Sequence, residues 1–173
     1  MRTLYLVRHA KSSWNYPELS DIERPLNKRG KSDAPKMGRL LRKKDESPDL
    51  MVSSSAKRAF GTAKRIAKEI GYPVKKIVKD ETLYMADTEE FFSVIKDTPD
   101  KASKLMLIAH NYGITYFANY ISDSSIDNIP TCGIVRIDFK IDSWKDIEKN
   151  KGKMIYFEYP KKHKDSKKDP DGI

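Results

Sequence analysis

Three short apolar runs constrain the fold more than any other feature of this sequence. Leu4 to Val7, Leu50 to Val52 and Leu105 to Ala109 have strand length without polar alternation, which is typical of strands buried on both faces of a sheet. Between them, apolar residues recur at helical spacing, most clearly from Ala59 to Ile70. Strands that alternate with helices predict a layered α/β fold with a mainly parallel central sheet.

Proline and serine residues mark the predicted ends of two helices. The first helix is expected to reach about Lys44, with Pro35 either in its first turn or at a kink. Ser54 or Ser55 is expected to cap the helix that runs from Ala59 to Ile70, because a serine oxygen can accept from the free N–H groups of the first turn.

Turn and cap residues indicate the remaining elements. Gly71 should end the second long helix, and the sequence Asp87 to Glu90 resembles a capping box that starts another. Val74 to Val78 is a candidate third strand of the parallel sheet. Ile134 to Phe139 and Met154 to Tyr159 alternate in polarity and are expected to pair as antiparallel strands.

Length and charge indicate one basic domain. The 173 residues predict a single domain over residues 1–160. Residues 161–173 form a basic tail with no apolar residue before the last position, so we expect this tail to be disordered. Lys and Arg number 34 against 25 Asp and Glu, and most of the net charge of +9 lies outside the tail. The domain itself therefore favours anionic partners.

Cysteine content and hydropathy indicate the compartment. Cys132 is the only cysteine, so an intramolecular disulfide and a multi-cysteine metal site are excluded, and we expect a small buried residue. No apolar run approaches the roughly 20 residues that cross a membrane. The N-terminus also lacks the apolar stretch of a secretion signal. We therefore expect a cytoplasmic protein with no membrane partner.

Two of the three histidines lie just after apolar runs. His9 follows Arg8, which comes directly after the first run, and His110 comes directly after the third run. Ligands bind at the carboxyl ends of parallel strands, and Arg58 should join these residues from the first turn of a helix. A neutral imidazole can attack phosphorus, and guanidinium groups neutralise phosphoryl oxygens. The set predicts phosphoryl transfer without a metal, and His163 is expected to be a solvated residue of the tail.

Four blocks, in chain order, carry a resemblance to a known family. Leu6–Ala10 (LVRHA), continued to Trp14 as KSSW, resembles the Arg-His-Gly signature of the histidine phosphatase (phosphoglycerate mutase-like) superfamily. Alanine replaces the glycine, as in the branch around the phosphohistidine phosphatase SixA. The other blocks similar to that branch are Asp21–Gly30, which contains RPLNKRG, Ser53–Ala59 (SSSAKRA) followed by Thr62 and Ala63, and Ala109–Asn111 (AHN).

The resemblance implies a fold and a set of roles. The fold would be the three-layer phosphoglycerate mutase-like fold, with helices on both faces of the sheet and an antiparallel C-terminal edge. His9 would be the nucleophile that becomes phosphohistidine, and Arg8, Arg58 and His110 would complete the phosphate pocket. Asn15 would also bind phosphate. Water would then release inorganic phosphate, with no cofactor and no metal.

The general acid is where the sequence departs from the family. Phosphomonoesterases of the superfamily use a carboxylate from the segment that follows the Arg58 block. Glu81 and Asp87 are the candidates here, but neither stands where an alignment on Leu83 places that carboxylate. An imidazole leaves more easily than an alkoxide, since the pKa of its conjugate acid is about 6.5. A missing acid therefore favours phosphohistidine in a signalling or phosphotransfer protein as substrate.

Two alternatives remain open at this point. The chain could be a small-molecule phosphomonoesterase that uses Glu81 or Asp87 as its acid. It could instead be a basic module that binds phosphate or nucleic acid through a vestigial pocket. No nucleic-acid motif or basic stripe with aromatic residues is present. The expected partner is therefore a phosphorylated substrate, such as a phosphohistidine-bearing protein domain, and not a nucleic acid.

Overall fold

A six-stranded mixed sheet forms the centre of the structure, a computed structural model that describes residues 1–163. In chain order the strands are β1 (Arg2–Arg8), β2 (Leu50–Ser54), β3 (Val78–Asp80), β4 (Lys104–Ala109), β5 (Ile134–Phe139) and β6 (Lys153–Glu158). They lie in the order β3-β2-β4-β1-β5-β6. The first four are parallel, whereas β5 and β6 are each antiparallel to their neighbours. The predicted α/β fold with an antiparallel C-terminal edge is confirmed.

Helices cover both faces of the sheet. The helices are α1 (Lys28–Lys43), α2 (Lys57–Ile70), α3 (Thr88–Lys96) and α4 (Gly113–Ile121). Tyr5 and Val7 of β1 pack with α1 and α2, while Leu4 and Leu6 pack with α3 and α4. Burial on both faces explains why the central strands are apolar throughout. Within residues 1–163, no helix is both long enough and apolar enough to cross a bilayer.

Most predicted helix ends are confirmed. Gly71 ends α2 with a left-handed φ of 73°. The Asp87 carboxylate accepts from the backbone N–H of Glu90 at 2.9 Å, and the Glu90 side chain accepts from the N–H of Asp87 at 3.2 Å, which is the predicted capping box. Pro35 lies in the interior of α1, beyond its first turn.

The predicted serine cap of α2 is wrong. The N-cap is Ala56, and no side chain caps this helix. Ser54 is instead the last residue of β2, and its hydroxyl accepts from the Ala56 N–H at 3.2 Å. These serines therefore lie at the end of β2 and in the turn after it. Ser54 lies at the carboxyl end of β2, which is the neighbour of β4 in the sheet.

The third parallel strand is shorter and later than predicted. Val74–Lys76 forms a 3-10 turn, and the strand itself covers only Val78–Asp80 at the edge of the sheet. Pro73, with φ −62°, precedes this turn, and proline favours a turn at such a position because its φ is restricted. The antiparallel pair at the other edge matches the prediction to within one residue at each end.

The structure describes only the first three residues of the predicted tail, and the expectation that the tail is disordered stays a prediction. A 3-10 turn covers Pro160–His163. Lys162 Nζ lies 3.2 Å from a Glu158 carboxylate oxygen, and Lys36 Nζ donates to the Pro160 carbonyl at 3.1 Å. His163 also contacts the Glu158 carboxylate, so it is not simply a solvated residue. The ion pair between Lys162 and Glu158 and the hydrogen bond from Lys36 hold this turn. The rest of the predicted tail lies outside the described residues.

Candidate active site

Two histidines meet at the carboxyl ends of adjacent parallel strands. Arg8 at the end of β1 pairs with Ala109 at the end of β4. His9 and His110 follow these residues, and the N–H of His9 donates to the Ala109 carbonyl at 3.1 Å. Their ring centroids are 5.1 Å apart. The register of two buried strands therefore brings both imidazoles together.

His9 is held as a neutral imidazole with one nitrogen free. Its side chain is buried, and Nδ1 lies 2.7 Å from the Ala10 carbonyl oxygen. A carbonyl can only accept, so the hydrogen is on Nδ1 and the lone pair is on Nε2. Burial, with smaller effects from the charges of Arg58 and Arg8, lowers the pKa of His9 to about 4. The ring is therefore neutral and nucleophilic at neutral pH.

Ser54 orients the second histidine. Its hydroxyl lies 2.7 Å from His110 Nε2, while His110 Nδ1 is buried with no hydrogen-bond partner among residues 1–163. Burial lowers the pKa of His110 to about 3, and electrostatic interactions with His9 and Arg58 act in the same direction. The ring is therefore neutral, and β2 contributes to the site through the Ser54 hydroxyl.

Thr62 fastens α2 to the segment that carries the nucleophile. Its hydroxyl oxygen accepts from the Ala10 N–H at 2.9 Å and donates to the Arg58 carbonyl at 2.8 Å. Thr62 is completely buried. One threonine thus fixes the distance between the loop after His9 and the first turn of the helix that carries Arg58.

Asp21 binds the two arginines that enter from α2 and from the loop. Arg58 donates to the Asp21 carbonyl at 2.6 Å and to its carboxylate at 2.9 Å. Arg24 donates to the other carboxylate oxygen at 3.1 Å, and the Tyr84 hydroxyl also donates to this carboxylate. The Tyr84 hydrogen bond, followed by Arg58 and Arg24, holds the pKa of Asp21 well below its usual range. Asp21 is therefore ionised.

These residues line a cationic cavity of about 340 Å³, called the active cavity below. Its lining residues are Arg8, His9, Lys11, Ser12, Trp14, Asp21, Arg24, Arg58, Met85, His110, Asn111 and Thr131. Four cationic side chains face one carboxylate, and Arg8 Nε is buried without a partner among the described residues. Such a cavity favours an oxyanion with several oxygens. Within residues 1–163, no three His, Cys, Asp or Glu side chains group as a metal site would need.

The structure brings together four of the predicted site residues. Arg8, His9, Arg58 and His110 all line the active cavity, and their catalytic roles stay predictions. Cys132 is fully buried as expected, and burial raises the pKa of its thiol. Its backbone N–H donates to the carbonyls of Arg8 and His9, so this residue supports the site through its backbone.

Three predicted residues lie elsewhere. Asn15 lines a separate surface cavity, because the chain turns where its N–H donates to the Ser13 hydroxyl. Glu81 lies in the 3-10 turn Glu81–Leu83 and Asp87 caps α3, and neither lines the active cavity. From the same segment, only Met85 reaches it. The expectation that Asn15 binds the phosphate and that Glu81 or Asp87 reaches it with a proton is therefore not supported by this arrangement.

Sequence reasoning missed several residues that shape the site. Asp21 was noted only as the start of a motif block and given no role, although its spacing of three residues from Arg24 is a signal for an ion pair across one turn. Ser54 was expected to cap the helix that became α2, and Thr62 was noted only as part of the motif that follows Ser53–Ala59. Tyr84 had no local signal, because its contact with Asp21 spans 63 residues.

Comparison with known sequences identifies relatives over most of the chain. A sequence model of the histidine phosphatase superfamily (branch 1) matches residues 4–84. An uncharacterised chloroplastic protein of Arabidopsis thaliana is 31% identical over 154 residues, which cover 84% of this chain and 70% of that protein. A 2,3-bisphosphoglycerate-dependent phosphoglycerate mutase of Bartonella bacilliformis is 31% identical over 98 residues, 56% of this chain and 48% of the mutase. The match thus spans about half the length of that mutase.

Comparison with solved structures identifies the same fold. The crystal structure of a protein of Agrobacterium tumefaciens, assigned as the phosphohistidine phosphatase SixA, superimposes with a TM-score of 0.78 at 25% sequence identity. The superposition covers 92% of this chain and 98% of that protein. The whole described domain therefore has a SixA-like counterpart.

Proposed function

The chain belongs to the histidine phosphatase superfamily, and from this premise we propose that it is a metal-independent phosphatase that works through a phosphohistidine on His9. Family membership and the SixA-like fold support a phosphatase. Its proposed substrate is phosphohistidine in a signalling or phosphotransfer protein. The observation that carries the proposal is the neutral His9 imidazole, with Nδ1 bonded to the Ala10 carbonyl, in a cavity lined by four cations.

The proposed reaction has two transfer steps. His9 Nε2 attacks phosphorus, a new P–N bond forms, and the P–N bond of the substrate breaks. The substrate ring carries a proton on its other nitrogen, so it departs as neutral imidazole. Water then attacks the phosphorus of the phosphoenzyme, which breaks the bond to His9 and releases inorganic phosphate. Arg8 and Arg58 offset the charge on the phosphoryl oxygens, and His110 lines the cavity beside them.

The substrate preference rests on the lack of a protonated acid in the cavity lining. Among the residues that the structure describes, Asp21 is the only one with a carboxylate that lines the active cavity, and its hydrogen bonds keep it ionised. An alkoxide leaving group needs a proton that this carboxylate does not hold, whereas an imidazole leaves with much less assistance. This electrostatic arrangement supports a phosphoramidate over a phosphate ester.

The test compares the two leaving groups directly. The purified protein is incubated in EDTA with a phosphohistidine-bearing phosphotransfer domain and, separately, with p-nitrophenyl phosphate, and phosphate release is followed. We expect faster release from phosphohistidine, and we expect His9→Ala to abolish it. His163→Ala serves as the matched control, because His163 does not line the active cavity.

Each other outcome contradicts a definite part of the proposal. Faster turnover of the ester would reject the phosphohistidine preference and would direct attention to a proton donor outside the cavity lining. Release that survives His9→Ala would reject His9 as nucleophile. Absence of release from both substrates in EDTA would favour a phosphate-binding module.

A further inference from the structure

We propose that a second cavity beside the active cavity binds another anionic group of the substrate, so the substrate carries negative charge next to the phosphoryl group that is removed. This inference rests on the proposed function and specifies its substrate class. The second cavity, called the side cavity below, has a volume of about 260 Å³. Its polar walls include Lys11, Arg29, Asn128 and Lys161.

The two cavities share a wall. Arg8, Lys11 and Thr131 line both of them. A molecule whose phosphoryl group contacts Arg8 in the active cavity therefore has the side cavity as its immediate neighbour. A ligand with one small anionic group fills only the first cavity, whereas a larger anion can occupy both.

Cationic groups converge on the side cavity without acidic ones. Arg8, Lys11, Arg29 and Lys161 line it, and among residues 1–163 no Asp or Glu does. Arg29 forms an exposed ion pair with Asp33 at 3.3 Å, and Lys11 and Lys161 have no ion-pair partner within residues 1–163. Like charges around one small cavity repel each other. An anion bound there would relieve this repulsion and gain charge-assisted hydrogen bonds.

The C-terminal turn positions Lys161. Lys161 lies in the turn Pro160–His163, whose Pro160 carbonyl accepts from Lys36 Nζ at 3.1 Å. The neighbouring Lys162 Nζ lies 2.9 Å from the Phe157 carbonyl and 3.2 Å from the Glu158 carboxylate. These contacts anchor the turn to α1 and β6. The backbone of the turn is therefore held at a position from which Lys161 lines the side cavity.

A second anion can reach this cavity from two sources that share the same chemistry. It can be an acidic side chain next to phosphohistidine in a protein, or a second phosphate or carboxylate on a small molecule. Both present oxygen anions at a short distance from the transferred phosphoryl group. Orthophosphate and p-nitrophenyl phosphate, with a single anionic group, lack this feature.

Two arms of one experiment test the cavity and separate the sources. In the first, KM is measured for two synthetic phosphohistidine peptides, one flanked by aspartates and the other by asparagines. In the second, calorimetry compares the affinities of methylphosphonate and propane-1,3-diphosphonate, which requires no turnover. We expect the aspartate peptide, the diphosphonate or both to bind about tenfold more tightly than the matched mono-anion.

The variant Arg29→Gln/Lys161→Gln tests whether the side cavity is responsible. Neither residue lines the active cavity, so we expect kcat and the affinity for methylphosphonate to stay unchanged while the preference for the second anion disappears. The matched control is Lys140→Gln/Lys153→Gln, which removes the same charge from two exposed lysines at the opposite end of the sheet. This control should retain the preference.

The outcomes separate the two proposals. A preference only for the aspartate peptide identifies a protein substrate, and a preference only for the diphosphonate identifies a small molecule; both support the side cavity. An equal loss in both double variants would assign the preference to overall charge and overturn the inference. No preference in either arm would also overturn it. If neither peptide is hydrolysed, the proposed function fails, but the calorimetric arm still tests the side cavity.

Discussion

The two ends of the parallel strands satisfy their polar groups in different ways. At the amino end, the Asp100 carboxylate accepts from the Ser143 hydroxyl at 3.0 Å and from the Trp144 N–H at 3.1 Å, and it lies 3.8 Å from an Arg2 nitrogen. The buried Trp144 indole donates to the Ala102 carbonyl at 2.6 Å. Charge and hydrogen bonds are balanced locally, as expected where the purpose is stability.

The carboxyl end leaves more groups without partners. Arg8 Nε, Ser55 Oγ and His110 Nδ1 are buried there without hydrogen bonds among residues 1–163, whereas the remaining two such atoms are Arg2 Nε at the amino end and the Tyr5 hydroxyl in the middle of β1. Four cations face one carboxylate in the active cavity. Burial of unpaired polar groups opposes folding. The comparison indicates that this end of the sheet is organised for a ligand and the other end for stability.

Replacing a tryptophan at each end should give the largest contrast. We expect Trp144→Ala to lower the free energy of unfolding by about 3–5 kcal/mol, because it removes a fully buried ring. Trp14→Ala removes a ring that is 74% exposed and should change it by less than about 1 kcal/mol. Denaturant unfolding measures both values. Similar losses for the two variants would contradict the comparison.

The two arginines that bracket β1 should separate activity from stability. We expect Arg8→Gln to lower kcat/KM for phosphohistidine about 100- to 1,000-fold, since it removes a guanidinium from the phosphate pocket. Arg2→Gln should leave kcat/KM unchanged and cost about 1–2 kcal/mol of stability, because it removes hydrogen bonds to the carbonyls of Asp100 and Asp142. Steady-state kinetics with denaturant unfolding check both. A loss of activity in Arg2→Gln would contradict the assignment of ligand binding to the carboxyl end of the sheet and of stability to the amino end.

A serine pair tests the orientation of His110. We expect Ser54→Ala to lower kcat about tenfold, because the ring loses the hydroxyl that lies 2.7 Å from Nε2. Its effect should fall on kcat more than on KM and should be relieved in Ser54→Thr, which restores a hydroxyl. The matched control Ser143→Ala, at the amino end, should leave both constants unchanged. Equal kcat in Ser54→Ala and the native protein would reject the positioning role.

The pH dependence of stability should be a smaller effect of the carboxyl end. The folded-state pKa values of His9 and His110 are lowered to about 4 and about 3, while the unfolded chain titrates near 6.5. Between these values the unfolded state binds more protons, so stability falls as the pH falls. Each histidine should contribute a loss of about 0.7 kcal/mol between pH 7 and pH 6.

Unfolding curves at several pH values measure this slope. His9→Ala should make the slope shallower, because one of the two titrating groups is removed. A slope that is identical in the native protein and in this variant would show that His9 does not carry the depressed pKa. Phosphate release should, by contrast, stay active below pH 6.5 because the nucleophile remains neutral there.

Local sequence patterns were sufficient for most of the fold. Apolar runs predicted the buried strands, and the Asp87 capping box and Gly71 predicted helix ends, because these signals act within a few residues. The same signals failed where residues had two uses. Serine is a common N-cap residue, but β2 continues to Ser54, and the Ser54 hydroxyl lies 2.7 Å from His110 Nε2. At the start of the predicted tail, Lys162 and His163 both contact the Glu158 carboxylate.

The family, the α/β layers and the two strand-end histidines could be predicted from the residues alone, because periodicity and motifs are continuous along the chain. Three features became visible only in the folded chain. Asp21 contacts Arg58 and Tyr84. Asn15, Glu81 and Asp87 lie outside the active cavity, and a second cationic cavity adjoins it. Such contacts depend on how side chains from distant segments pack, and no local pattern encodes that packing.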